Sequence, residues 1–337
     1  MNSFNKKTFW AVMFAVFTLA PAGAQNDVQK YIGRWALHFE EGMGWLKVYE
    51  NNGILDAELL WRWGSVLPVA NVYVVNGKLV VTRIREEKFK DAKGNEKVHT
   101  ATRVLTLEGN NKQLVGTMVM PHHDGKGADI YYVNADKIPP VPPAPDLSKV
   151  KYGKPVKLIG KDLSGWRLIE PDAVNGWSVE KGVLMNDPVQ HPGQPHIHYG
   201  NLRTDAEYKD FNLKLKVNVP KGSNSGIYLR GIYEIQVLDS YGKPLDSHNM
   251  GALYSRITPS VAAEKKAGEW QTLDITLCKR HLTVILNGVK IIDNRPIEGV
   301  TGGAMTSDEL KPGPVYLQGD HGKVFYKDLV LTPIVEE

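Results

Sequence analysis

A chain of 337 residues, 42% hydrophobic and 23% charged, has the make-up of ordinary globular protein and the length for two cores. Its formal net charge of +4 includes no block of basic residues, which argues against nucleic acid as a partner. A single cysteine, Cys278, excludes an internal disulfide, so stability must come from core burial; its strand-like surroundings suit a buried structural thiol.

Residues 1–24 read as a secretory signal. Lys6 and Lys7 supply the positive start, Phe9 to Ala20 the apolar run, and Ala22-Gly23-Ala24 a small-residue cleavage site. The run is short for a bilayer span, and Gln25 rather than Cys follows the expected cut. The expectation is an exported bacterial protein, periplasmic or extracellular, with no transmembrane segment in the mature chain.

Residues 25–137 alternate short apolar runs with turn signals such as Asn51-Asn-Gly53 and Asn76-Gly77, predicting a small antiparallel β-barrel-like domain. Gly33-Arg-Trp35 is similar to the opening of lipocalin-like barrels. Trp35, Trp45, Trp61 and Trp63 fit either a sugar-binding face or barrel core. Residues 138–150, with Ile138-Pro-Pro-Val-Pro-Pro-Ala-Pro-Asp146, predict an extended linker.

Residues 151–337 carry many alternating segments. Phe211, Leu213, Leu215, Val217 and Val219 point one way, and Asn287-Gly288 marks a tight hairpin. One short stretch, Ser260 to Ala267, has a helical pattern. The prediction is all-β, with a two-sheet jelly-roll sandwich following the barrel. Its focus is Ser223-Asn-Ser-Gly-Ile-Tyr-Leu-Arg230 and Tyr233-Glu-Ile-Gln-Val-Leu-Asp239. Period-two alternation puts Tyr228, Arg230, Glu234 and Gln236 on the face away from Ile227, Leu229, Ile235 and Val237. Converging Arg, Glu and Gln beside aromatic rings suit a polyhydroxylated ligand.

The segments Gly160-Lys-Asp-Leu-Ser-Gly-Trp166, Leu202-Arg-Thr204, the 223–239 pair, Asn249-Met-Gly-Ala-Leu-Tyr254 and Gly313-Pro-Val-Tyr-Leu-Gln-Gly-Asp-His-Gly322 occur in a specific order. In this order the second domain resembles the 3-keto-disaccharide hydrolase family, over about residues 156–334, whose members look like concanavalin A-like and laminarinase-like sandwiches. The resemblance implies action on glycosides already oxidised at C3. A base removes the acidified C2 proton and the aglycone leaves from C1, with or without later hydration. The partner implied is an oligosaccharide or glycoside.

Glu234 is the candidate general base, its alternative an ion pair with Arg230. His321 and Asp239 are the other catalytic candidates, as acid, base or relay. Tyr228, Arg230, Gln236, His248, Tyr254 and Gln318 are candidates for holding substrate, the amides because they both give and accept hydrogen bonds. A divalent metal ion would steady an enolate, and His196 and His198, two apart, are its candidate ligands. The Glu-x-Asp-x-x-Glu run of laminarinase-like enzymes is absent, since the hairpin reads Glu234-x-Gln236-x-x-Asp239. An ordinary β-glucan hydrolase and a non-catalytic sugar-binding protein are the alternatives.

Overall fold

The computed structural model describes residues 28–336; the leader expected at 1–24 lies outside them. Nine strands form the first sheet. In chain order these are β1 (Gly33–His38), β2 (Met43–Asn51), β3 (Ile54–Trp61), β4 (Leu67–Pro68) and β5 (Asn71–Val75), then β6 (Lys78–Lys90), β7 (Glu96–Gly109), β8 (Gln113–Pro121) and β9 (Ala128–Ile138). Their lateral order is β4-β3-β2-β1-β9-β8-β7-β6-β5. The sheet curls until its edges meet: Val69 N–H reaches Ala57 O on β3, and Ala70 N–H reaches Thr82 O on β6. Trp35, Leu37, Leu46, Leu59, Leu79 and Leu105 fill the inside.

Fourteen further strands build a two-sheet sandwich. They are β10 (Lys151–Tyr152), β11 (Val156–Lys157), β12 (Trp166–Leu168), β13 (Trp177–Glu180), β14 (Val183–Asn186), β15 (Leu202–Thr204) and β16 (Phe211–Asn218). After them come β17 (Asn224–Leu229), β18 (Tyr233–Leu238), β19 (Trp270–Cys278), β20 (His281–Leu286), β21 (Val289–Pro296), β22 (Tyr316–Leu317) and β23 (Val324–Glu336). One sheet runs β13-β14-β23-β16-β19-β20-β21, with β10 and β11 also on β23; the other runs β12-β15-β22-β17-β18. Leu213, Leu215, Val217, Ile275 and Val284 from the first layer pack with Ile227, Leu229, Ile235, Val237 and Leu317 from the second. The protein is all-β, with a jelly-roll sandwich of the concanavalin A-like type. Asn287 and Gly288, with φ of 51° and 84°, make the expected tight turn.

The run Ser260 to Ala267 is not a helix but irregular chain after Pro259. Its polar groups take side-chain partners in place of helical ones: Glu264 accepts from Ser240 Oγ and Ala263 N–H, and Gln271 bonds both Lys265 N–H and Lys265 O. Cys278 is buried, and burial pushes its thiol up to about 11, which suits the structural role.

The proline-rich run does not hold the two β units apart. Arg280 donates to Pro139 O and Pro140 O, and Asn294 to Pro145 O. Ala36, Trp45, Leu60 and Ile138 of the first unit belong to the same apolar cluster as the sandwich core. Polar contacts cross the junction as well: Lys47 with Glu298 at 2.6 Å, Ser307 Oγ on Leu37 O and Gly44 O, and Arg256 over the Trp45 ring.

Candidate active site

The hairpin β17–β18 sets the site. Its register pairs Tyr228 with Glu234 and Gly226 with Gln236, which stacks these side chains on one face while Ile227 and Ile235 enter the core. That face is not open to solvent: Tyr228, Glu234 and Gln236 are all at most 3% exposed. They form the floor of a cavity of about 250 Å³ whose walls include Asn224, Tyr254, Gly303, Gln318 and His321, with Trp63 and Gly64 from the first sheet's β3–β4 connection. A larger hollow, about 530 Å³, opens beside Val66 and Pro68 among Lys47, Glu58, Arg256 and Glu298. Among the described residues lining it, no buried side-chain atom lacks a partner, whereas the smaller cavity has two such atoms.

Those two are Gln236 Oε1 and Gln318 Oε1. The Gln236 amide donates to Asn224 Oδ1 at 3.2 Å, and Gln318 is held through its backbone N–H on Gly226 O. A buried carbonyl oxygen without a donor is costly, and both belong to residues that line the cavity.

Glu234 is the sole carboxylate among the described residues lining the cavity. Gly226 makes room for it, because a Cβ there would fall 2.4 Å from Glu234 Oε1. Burial pushes the Glu234 carboxyl up to about 8, against the smaller opposing effect of the Tyr228 hydrogen bond. The Tyr228 hydroxyl lies 2.8 Å from Glu234 Oε2 and 2.8 Å from Gly302 O. It can donate to the ionised carboxylate, or turn to Gly302 O and accept from the protonated acid. Either charge state of Glu234 is thus hydrogen-bonded without movement of heavy atoms. Tyr316, stacked on Tyr228 at 4.0 Å and 6°, fixes the ring.

Arg230 does not reach this cavity, and the Glu234–Arg230 ion pair does not form. Alternation ends at Leu229, because Arg230 occupies the turn with φ of 56°. Its guanidinium is taken by Glu309 O and Lys311 O. Asp239 also lies outside the lining residues; it accepts from Gly222 N–H at 3.0 Å beyond the strand end. His248 is clamped between Asp246 Oδ1 at 2.6 Å and Ser65 Oγ at 2.8 Å, and its ring meets the edge of Tyr254. It supports a wall rather than lining it. His321 stands exposed at the mouth; crowding on its inner side lowers its pKa, against the opposing charge of Asp320.

His196 and His198 both turn to one carboxylate oxygen, Asp320 Oδ2, at 2.9 and 3.3 Å, while Asp320 Oδ1 accepts Tyr199 N–H. Among the described residues no three His, Cys, Asp or Glu groups are arranged to hold a metal ion.

Three contributors were not singled out from the sequence: Gly64, Asn224 and the Gly302-Gly303 pair. Asn224 sits inside the focal segment, and a paired glycine after Thr301 is a signal of close backbone approach. Trp63 was grouped with three tryptophans that are buried, Trp35, Trp45 and Trp61; it is 64% exposed because β3 ends at Trp61 and Arg62 turns with φ of 62°.

Residues 154–332 match the 3-keto-alpha-glucoside-1,2-lyase-like domain, more than half of the chain, and the chain belongs to that family of carbohydrate-active domains. No curated protein matches it. Among solved structures it is similar to a candidate glycosyl hydrolase of Parabacteroides distasonis, at 28% identity over 58% of this chain and 93% of the other, with a TM-score of 0.44. A second such protein of that organism shows 20% identity over 54% and 94%, TM-score 0.44. A catalytic LamA domain from Zobellia galactanivorans shows 11% over 54% and 97%, TM-score 0.35. Among the described residues no helix is long and apolar enough to cross a membrane.

Proposed function

We propose that this chain is an enzyme that cleaves 3-keto-glycosides, with Glu234 as the general base. The observation that carries the reading is a buried carboxylate with no cationic partner among the described residues, on the floor of a small cavity lined also by Gln236 and Gln318. Ordinary glycosidases place two carboxyl groups across the scissile bond. Here one carboxylate lines the cavity, which suits a reaction needing one strong base.

In the proposed reaction Glu234 takes the C2 proton of a sugar bearing a C3 ketone. The C–H electron pair moves into an enolate at C2–C3. It then forms a C1–C2 double bond as the C1–O bond breaks and the C3 carbonyl is restored. The departing oxygen takes a proton, either the one Glu234 has gained or one passed through His321 at the mouth. Addition of water across C1–C2 would complete a net hydrolysis. Gln236 and Gln318 accept from ring hydroxyls, and Tyr228 holds the base in both charge states. A carboxyl with a pKa of about 8 is a far stronger base than an exposed glutamate, and roughly one in ten is ionised at pH 7.

The test is release of aglycone from a 3-keto-glucoside and from its unoxidised parent, with C2 hydrogen exchange followed in deuterated water. Release from the keto substrate alone, with exchange, is expected. Release from the parent would support a β-glucan hydrolase, and binding without release a sugar-binding module. The basic start, apolar run and small-residue site of residues 1–24 support export to the bacterial envelope, which cell fractionation checks.

A further inference from the structure

Among the described residues of the first unit, two line the cavity, Trp63 and Gly64 in the connection from Arg62 to Val66, and the tryptophan is exposed. From this geometry, resting on the reading above, we infer that Trp63 is the stacking platform for the leaving group. The curled first sheet is then part of the active site and selects substrates whose aglycone is itself a ring.

The connection is built, not slack. Arg62 and Gly64 both have positive φ, 62° and 76°, and Trp63 N–H closes a tight turn on Trp61 O at 2.7 Å. Ser65 Oγ meets His248 Nε2 at 2.8 Å, and Val66 N–H donates to Ser255 Oγ at 2.9 Å, so the loop is pinned to the sandwich on the far side of Trp63. Its backbone lies hard against Gly302, where a Cβ would fall 2.1 Å from Gly64 O. Gly302 O in turn accepts from the Tyr228 hydroxyl, which is also bonded to Glu234, so the loop is three contacts from the base.

Inside this rigid frame the Trp63 side chain is 64% exposed, while Trp35, Trp45 and Trp61 are buried. The cavity, at about 250 Å³, is smaller than the roughly 300–1,000 Å³ of sites for drug-sized ligands and has room for one sugar ring. The group on C1 must then project through the mouth, where Trp63 and His321 stand. An indole face is electron-rich and attracts the positively polarised C–H groups of a pyranose face or the edge of an aryl ring.

The experiment compares wild type, Trp63→Ala and Trp63→Phe on three substrates: a 3-keto-disaccharide, a 3-keto phenyl glucoside and a 3-keto methyl glucoside. Because Trp63 is outside the cores, far-UV spectra and urea midpoints should stay those of wild type. Trp63→Ala should raise KM about three- to tenfold more for the two ring-bearing substrates than for the methyl glucoside, with the difference in KM rather than kcat; Trp63→Phe should recover most of the loss. A loss for the disaccharide but not the phenyl compound restricts the platform to sugars. An equal loss on all three, or none, overturns the inference. If wild type turns over none of the keto substrates, the proposed reaction fails while the platform is still tested. Calorimetry with the unoxidised disaccharide and methyl glucoside must then show tighter disaccharide binding that Trp63→Ala abolishes, and the absence of that difference overturns it.

Discussion

The hairpin β17–β18 carries two tyrosine–glutamate contacts, and their surroundings differ. Tyr228 and Glu234 face the cavity; Tyr233 donates at 3.0 Å to Glu309, which lies on the long connection before β22. Both carboxylates are buried, and burial raises both pKa values. Glu309 has compensation: Arg280 at 3.5 Å, with Arg256 and Arg34 also lowering its pKa. Arg280 also holds the proline-rich run, so this cluster ties the two β units together. Glu234 has the Tyr228 hydroxyl and, among the described residues, no cation. A buried acid with matched charge is a joint; one left without it is poised for proton transfer.

The largest expected effect is on chemistry. Glu234→Gln should lower kcat on a 3-keto-glucoside about 10²- to 10⁴-fold, while its urea midpoint stays at or above that of wild type. A variant as active as wild type ends the base assignment. The reverse pattern belongs to the joint: Arg280→Ala leaves Glu309 buried with less compensation and should cost about 3–5 kcal/mol in urea unfolding, with kcat per folded molecule preserved.

A smaller change should blur the contrast from inside the cavity. Gly226→Ala puts a methyl group where Glu234 Oε1 lies, and moving the base should cost about a hundredfold in kcat. Tyr228→Phe removes the hydrogen bond that favours the ionised acid, so the acid limb of kcat/KM, expected near pH 8 in wild type, should shift to higher pH.

Stability should carry the same signature with opposite sense to most carboxylates. Glu234 keeps its proton in the folded protein up to about pH 8, whereas the unfolded chain releases it near 4.5, the ordinary value for glutamate. Its contribution is therefore complete below about pH 4.5 and declines as pH rises toward 8. Comparing unfolding midpoints of wild type and Glu234→Gln across this window should show that decline in wild type alone.

Strand alternation placed Tyr228, Glu234 and Gln236 on one face, and the tertiary structure adds Gln318, Tyr254 and His321 around the same cavity. The same periodicity misplaced Arg230, because a period of two ends where the chain turns and φ becomes positive. His196 and His198 lie in irregular chain rather than on a strand, and both turn to Asp320 from a distant loop. The helical pattern of Ser260 to Ala267 gave way to side-chain bonds from Ser240 and Gln271, partners that lie outside the run.

What the amino-acid order determined alone is what depends on near neighbours: the all-β architecture, the hairpin turns, and the face on which each strand residue lies. The tertiary structure decided which buried acid received a counter-charge and which tryptophan stayed in the open. Both depend on loops separated by many residues in the chain, such as 62–66 and 298–311, being brought against the hairpin. The electrostatic cost of burial is set by what surrounds a group in space, and sequence neighbours supply only part of that surrounding.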